Sequence, residues 1–192
     1  MGLSSLSVAD LTRRCRSGDS KAWGELVRRM TPLVYRLSYR MLRNTSEAED
    51  AAQEAFLRAY RFFKTYDPTR PLEPWLSHVT YNVCLQRLNK LKRQPAPGKA
   101  EMEEGRVESG MSPVLPGPEA GVASAEEAAL LTSAMDELSA QDRAILHMHY
   151  WEGFTTSEVS EMTDMPVNTV KIRMFRARGK LRKFLALSLQ GA

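Results

Sequence analysis

The stretch FTTSEVSEMTDMPVNTVKIRMFRARGKL, residues 154–181, decides how the fold is read. Thr155 followed by Glu158 is a capping-box start, so a short helix is expected over about 156–163 with Val159 and Met162 facing inward. Thr163-Asp164-Met165 then turns the chain, and Pro166 suits the first turn of a second helix. On a wheel of about 100° per residue, Val167, Val170, Met174, Ala177, Leu181 and Leu185 fall on one stripe, which is how a helix buries a face. Two helices across so short a turn have the layout of a helix-turn-helix. An ordinary αα-hairpin shares that layout, and the charge separates the two readings. Met165–Leu185 holds seven Lys or Arg residues, and no acid occurs from Met165 to Ala192. Arg173, Arg176, Lys180 and Lys183 flank one side of the stripe; Lys171, Arg178 and Arg182 flank the other. A merely solvated helix mixes acids with its bases, so this one is expected to face phosphate. Ile172 and Phe175 point outward among the charges, where thymine methyls would meet them. A recognition helix presents its outward N-terminal residues to base edges in the major groove. Here these are Asn168, Thr169, Lys171, Ile172, Phe175 and Arg176. Arg176 suits a guanine, and Lys171 suits a base or a phosphate, whereas Arg173 and Lys180 suit phosphates.

Working outward, charge is strongly segregated within a chain of 192 residues and net charge +4. Residues 1–93 carry +8, residues 94–124 carry −3, residues 125–164 carry −8 and residues 165–192 carry +7. Two basic zones separated by acidic ones imply two contacts with a polyanion. The segment 94–124 holds five Pro and five Gly and no periodic apolar face, and reads as a linker. It divides a first domain, 1–93, from a second, 125–192.

No strand alternation is evident, and both domains are expected to be all-α. Helices are predicted at about 8–17, 19–43, 46–65, 73–92, 125–137, 140–151, 156–163 and 166–186. Capping-box-like starts stand at Ser7, Ser46, Ser124, Ser139 and Thr155. Pro32 is expected to kink or break the second helix. Asp67-Pro68 ends the third, and Pro74 opens the fourth.

No apolar run reaches the roughly 18 residues of a membrane span, and the N-terminus lacks the apolar core of a signal peptide. Two cysteines, Cys15 and Cys84, are too few for a disulfide framework. A cytoplasmic setting is expected. An enzyme needs convergent acids, bases or metal ligands, and no phosphate-cradling Gly-rich loop is present. His147 and His149 diverge by about 200° on a helix and do not share a metal easily. Neither a cofactor nor a metal is expected.

In the first domain, Asp50, Gln53 and Glu54 form a polar, acidic patch on one helix, with Ala51, Ala55 and Phe56 toward its inner side. Such a patch is often no more than a solvated face. The loop YDPTRPLEP leads to Trp75 and a helix ending in Lys90, Lys92 and Arg93. Aromatics beside a basic helix end suit unstacked bases, or equally a packed aromatic core.

The segments EAEDAAQEAFLRAYRFF and PWLSHVTYN resemble conserved region 2 of the extracytoplasmic-function (ECF) sigma factors of bacterial RNA polymerase. The segment MDELSAQDRAILHMHYWEGFTTSEVSEMTDMPVNTVKIRMFRARGKLRK resembles their region 4. Two motifs in the right order across a linker are far more specific than one helix-turn-helix. The resemblance implies that Asp50, Gln53 and Glu54 bind the clamp helices of the largest polymerase subunit. It implies that the loop from Asp67 through Arg70 to Leu72 captures a base flipped from the −10 element, with Asn82 beside it. Arg87, Lys90, Lys92 and Arg93 would track promoter DNA, and Lys171, Arg173 and Arg176 would read the −35 element. Trp75 matches a structural aromatic. Core RNA polymerase and promoter DNA are the implied partners. Many proteins of the group are also held by an anti-sigma factor, although nothing in this sequence identifies one.

The match has departures. SHVTYN replaces the usual aromatic-Arg-Ile-Ala-x-Asn, so His78 and Thr80 are atypical, and Leu72 stands where an aromatic is often found. The linker is long and acidic for the group. The same residues also admit a stand-alone helix-turn-helix regulator, a reading that leaves the acidic patch at Asp50 without a task.

Overall fold

A computed structural model describes residues 2–93 and 125–190 of the chain; the linker 94–124 and the start at Ser124 lie outside the described residues. Among the described residues there are eight α-helices and no strand: α1 (Val8–Arg16), α2 (Ser20–Leu42), α3 (Thr45–Phe62), α4 (Leu72–Arg93), α5 (Ala125–Asp136), α6 (Ala140–Tyr150), α7 (Thr156–Thr163) and α8 (Val167–Gln190). The all-α expectation holds, and the helix boundaries follow the capping chemistry. Ser7 and Ser139 accept from the backbone N–H groups of Asp10 and Asp142. Thr155 and Glu158 form the reciprocal capping box.

Three local expectations are corrected. Ser46 is not a cap: α2 ends on Arg43 in the left-handed region, and Asn44 caps α3 by accepting from the Glu47 N–H at 3.0 Å. Pro32 does not break α2, because buried Met30, Leu33 and Val34 hold the helix on both sides of it. The last helix runs on to Gln190, with no helix-breaking residue to stop it near 186.

α2 is the spine. At about 1.5 Å per residue it is long enough to touch α1, α3, α4 and α6. The alanines of α3 (Ala48, Ala51, Ala52, Ala55 and Ala59) are all buried, and their small side chains let that helix lie close to α2 and α4. In the second group, Val159 and Met162 of α7 pack on Val170, Met174 and Ala177 of α8, as the stripe predicts.

The two groups of helices are docked on each other. α2 meets α6, and α4 meets α7, so the buried apolar residues of both groups form one continuous cluster. Polar contacts fix the seam. Arg143 of α6 is buried and donates to the carbonyls of Arg40 (2.8 Å) and Met41 (3.2 Å) at the C-terminal end of α2, and to Leu138 at 2.6 Å. Arg36 forms a bidentate pair with Glu152 at 2.7 and 2.8 Å. His147 Nε2 lies 3.1 Å from the same carboxylate, and Arg40 stacks over the Trp151 ring.

This seam is sensitive to acid. Burial pushes His147 below its ordinary value of 6.5, against the pull of Glu152. Burial would raise Glu152, but the close His147 ring and the two hydrogen bonds from Arg36 overrule it and hold the carboxyl at about 2. Both groups therefore bind protons more readily in the unfolded chain, and their contribution to stability is full only above the higher unfolded value. On acidification His147 loses its share first, below about pH 6.5, and Glu152 follows from about pH 4.5 down to 2. We expect the urea midpoint to fall between pH 7 and pH 5, and His147→Gln to flatten that slope.

Candidate nucleic-acid and polymerase interfaces

The buried alanine stripe of α3 turns its opposite face to solvent. Asp50 and Gln53 are exposed there, and Glu54 is half-buried beside them. Leu57 and Tyr60 extend the same side as exposed apolar side chains, each 60% accessible. Glu54 is anchored by Arg58 at 2.5 Å and by Arg87. Arg87, expected with the DNA-tracking residues, turns from α4 toward α3 instead. Its Nη1 donates to Glu47 at 3.0 Å, its Nη2 and Nε to Glu54 at 3.2 and 3.3 Å, and Asp50 lies 3.9 Å away. Arg87 reaches phosphate only by leaving these carboxylates. Lys90 is exposed further along α4; the side chains of Lys92 and Arg93 lie outside the described residues.

The loop before α4 is preformed. Asp67 accepts from the N–H and the hydroxyl of Thr69 at 2.9 and 2.7 Å, and these bonds hold its carboxyl below the usual range. The Tyr66 hydroxyl donates to the Arg70 carbonyl at 2.5 Å. Beneath the loop, Phe63, Tyr66 and Trp75 pack ring against ring, with Phe63 and Tyr66 buried and Trp75 half-buried at the edge of the cluster. Leu72 is 2% exposed and belongs to the buried core.

Between this loop and α7 lies a cleft of about 290 Å³, lined by Tyr66, Arg70, Trp75 and His78 on one wall and by Glu158 and Glu161 on the other. Arg70 pairs with Glu161 across it. His78 Nδ1 lies 3.1 Å from the Met162 carbonyl, and His78 Nε2 lies 3.1 Å from Asn82 Nδ2. Sequence reasoning places Arg70, Leu72 and Asn82 in one loop-and-helix unit, but gives no sign that α7 closes over it. Glu161 is 91 positions from Arg70, and no local pattern announces such a pair.

On α8 the residues that the periodicity turns outward are exposed. Asn168, Thr169, Lys171, Arg176 and Lys180 are exposed, and Ile172 and Phe175 are 51% and 71% accessible with their apolar groups in water. Arg173 differs. It is half-buried, 2.9 Å from Asp142 in the first turn of α6, and it pins α8 to that helix. Arg178 likewise donates to the Tyr150 hydroxyl at 3.1 Å.

Residues 26–94 match Sigma-70 region 2, and residues 128–181 match Sigma-70, region 4. The ECF RNA polymerase sigma factor SigW of Bacillus subtilis is 32% identical over 90% of this chain and 94% of its own length. The chain belongs to the ECF sigma factors. The ECF sigma-E factor of Escherichia coli is 28% identical over 88% of both chains. Among solved structures, CnrH in complex with the cytosolic domain of CnrY aligns with a TM-score of 0.64 at 20% identity, over 93% of this chain and 97% of the other. The sigma factor RpoE of Bartonella quintana, in complex with the anti-sigma factor NepR, aligns with a TM-score of 0.67 at 18% identity, over 86% and 98%. These structures share the fold. Region 2 of this sigma factor covers most of α2, with α3 and α4, and region 4 covers α5 to the middle of α8.

The placement of Arg173 separates structural from exposed cations on α8. Arg173→Ala is expected to lower stability by about 1 kcal/mol, the upper end for a partly exposed pair, and Lys180→Ala to change it by less than about 0.5 kcal/mol. Urea unfolding of the two variants checks this.

Proposed function

We propose that this sigma factor engages core RNA polymerase through the exposed face of α3 and reads promoter DNA with two separate surfaces. The observation that carries the reading is the preformed acidic face: Asp50, Gln53 and Glu54 stand together on a helix whose other side is buried alanine, with Glu54 held in place by Arg58 and Arg87. Such a face suits a basic helical partner. The loop from Asp67 to Leu72, with Asn82, takes the −10 element, and Lys90, Lys92 and Arg93 follow its phosphates. Asn168, Thr169, Lys171, Ile172, Phe175 and Arg176 meet the −35 element, with Lys180 on its backbone, while Arg173 is held by Asp142 of α6.

Strand separation on this reading needs no nucleotide hydrolysis. Unstacking a base costs a few kcal/mol, and capture of that base beside Asn82 offsets it. The reading also requires the chain to open. Elements 10 and 35 base pairs upstream are separated by about 25 steps, or about 85 Å. In the structure the −10 loop and α7 touch through Arg70 and Glu161. The 31 residues between α4 and α5 reach at most about 105 Å when extended, so they are long enough for both elements to be held at once. An anti-sigma factor is a further partner on this reading. The work of the chain lies with the transcription machinery, in the cytoplasm.

The deciding experiment is transcription in vitro with purified core polymerase, with the chain added or omitted. New start sites on genomic templates are expected only with the chain; a stand-alone regulator would produce none. Asp50→Lys with Glu54→Lys is expected to weaken holoenzyme assembly by at least tenfold while leaving helicity intact, since removing one partner of a charge pair buried at an interface costs about 2–5 kcal/mol. Unchanged capture of the core enzyme would remove this face from the interface.

Base reading and phosphate gripping separate on α8. Arg176→Ala is expected to cost about 1–3 kcal/mol on the preferred element and to relax one position. Lys180→Ala is expected to weaken all sequences alike and lower the salt slope by about one. Holoenzyme binding to a library randomised upstream, at two salt concentrations, measures both.

A further inference from the structure

His78 stands one helical turn before Asn82 on α4, and it is one of the residues by which this chain departs from the family pattern. Both of its ring nitrogens are engaged. Nδ1 faces the Met162 carbonyl at 3.1 Å, and Nε2 faces Asn82 Nδ2 at 3.1 Å. A carbonyl oxygen only accepts, so Nδ1 carries the hydrogen; the Asn82 amide then donates to the bare Nε2. The two bonds fix both the tautomer and the plane of the ring. Asn82 therefore orients His78, and His78 presents one N–H donor into the cleft beside Arg70.

The group opposite that donor belongs to the last turn of α7. Met162 offers a carbonyl to His78, Glu161 offers a carboxylate to Arg70, and the Asp164 carboxylate lies 4.0 Å from His78 Nδ1. A carbonyl acceptor and an anionic oxygen side by side are also what a nucleotide presents, in its base carbonyl and its phosphate. The cleft between the loop and α7 is open to solvent, and both members of the Arg70–Glu161 pair are more than half exposed, so a ligand reaches Arg70 from outside.

We infer that Arg70 and His78, on the loop-and-α4 wall of this cleft, have two alternative partners: the C-terminal turn of α7 in the free chain, and an unstacked nucleotide in the promoter complex. Arg70 exchanges Glu161 for a phosphate, and His78 exchanges the Met162 carbonyl for an acceptor on the base edge. His78 is then a specificity-determining residue of the −10 site, favouring a base with an acceptor at that edge. The region 4 helix is a competitor built into the chain. The inference rests on the sigma reading above and adds to it that single-strand capture and α7 docking exclude each other.

The test uses the full chain and its holoenzyme. The probe is a fluorescent single-stranded DNA pool randomised over its central positions, sequenced after binding. Glu161→Gln removes the competing charge without touching the DNA-facing residues. The Arg70–Glu161 pair is more than half exposed on both sides, so the gain is expected to be about two- to fivefold in affinity for the free chain, with no gain in holoenzyme. His78→Ala is expected to relax base preference at one position of a pre-melted bubble bound by holoenzyme. His78→Asn, which returns a donor near the place of Nδ1, is expected to restore part of that preference. An unchanged affinity of the free Glu161→Gln chain, or an unchanged base preference in His78→Ala, overturns the exchange. Wild-type transcription run in parallel separates the two levels. If the wild-type chain directs initiation while the variants behave like it, the exchange alone fails; if it directs none, the sigma reading fails with it.

Discussion

One buried guanidinium holds the architecture together. The C-terminal end of α2 is turned toward α6, with Met41 buried and its carbonyl bonded in a buried contact. Arg143 reaches that end from α6, donating to Arg40 and Met41 of α2 and to Leu138 ahead of α6. A buried carbonyl without a partner costs about 1–3 kcal/mol, and a cation at a helix C-terminus gains from the helix dipole. The same side chain thus satisfies the end of the spine helix and fixes where α6 sits against it. The position of α6 sets that of α7 and α8, because Arg173 of α8 is pinned to the first turn of α6 and α7 packs on α8. The docking of α7 over the −10 loop follows from that chain of contacts.

Arginine does different work in different places on this chain, and burial tells the uses apart. Arg36, Arg87, Arg143 and Arg173 are at most about a quarter exposed, and each binds oxygen acceptors of the protein itself. Arg176 and Lys180 are exposed on the outward side of α8. Arg70 stands between the two groups: its partner is within the chain, but both members of the pair are more than half in water. A pair of that kind is worth at most about 1 kcal/mol and exchanges readily. Net charge alone does not separate these roles, since every one of the side chains contributes +1 to the basic zones.

Much of the fold is legible in the sequence because its signals are local. Ser7, Ser139 and Thr155 cap as their spacing demands, and the stripe of Val170, Met174 and Ala177 is buried on the period of a helix. Where two local signals compete, spacing alone favours the wrong one: Ser46 has the pattern of a cap, but Arg43 in the left-handed region has already ended α2 and hands the role to Asn44. The candidate site is legible in part. The α3 patch and the outward face of α8 follow from periodicity. The destinations of Arg87 and Arg70 do not, because their partners lie 33 or more positions away and a basic residue at a helix end looks the same whether it faces phosphate or a carboxylate. Leu72 is assigned to DNA only through its place in a motif, and its burial is a matter of packing that no motif carries.

The two seams between the helix groups differ in what opens them. A ligand shifts a conformational equilibrium only by the difference in its affinity for the two states. DNA entering the −10 cleft competes directly for Arg70 and His78, so it acts on the α4–α7 seam. The α2–α6 seam contains Arg36, Arg143, His147 and Glu152, none of which belongs to either proposed DNA surface, and DNA at the cleft gains nothing there directly. Moving an equilibrium from 1:99 to 99:1 takes about 5.5 kcal/mol of differential binding, more than exchange of one exposed ion pair supplies. The remainder must come from a partner that binds the separated helix groups better than the docked ones. On the proposed reading core polymerase supplies it only through contacts that the docked arrangement blocks, because the α3 face is exposed with the groups docked and gains nothing from their separation. Single-stranded DNA then competes at the cleft of the free chain, while holding both promoter elements at once waits on release of the larger seam.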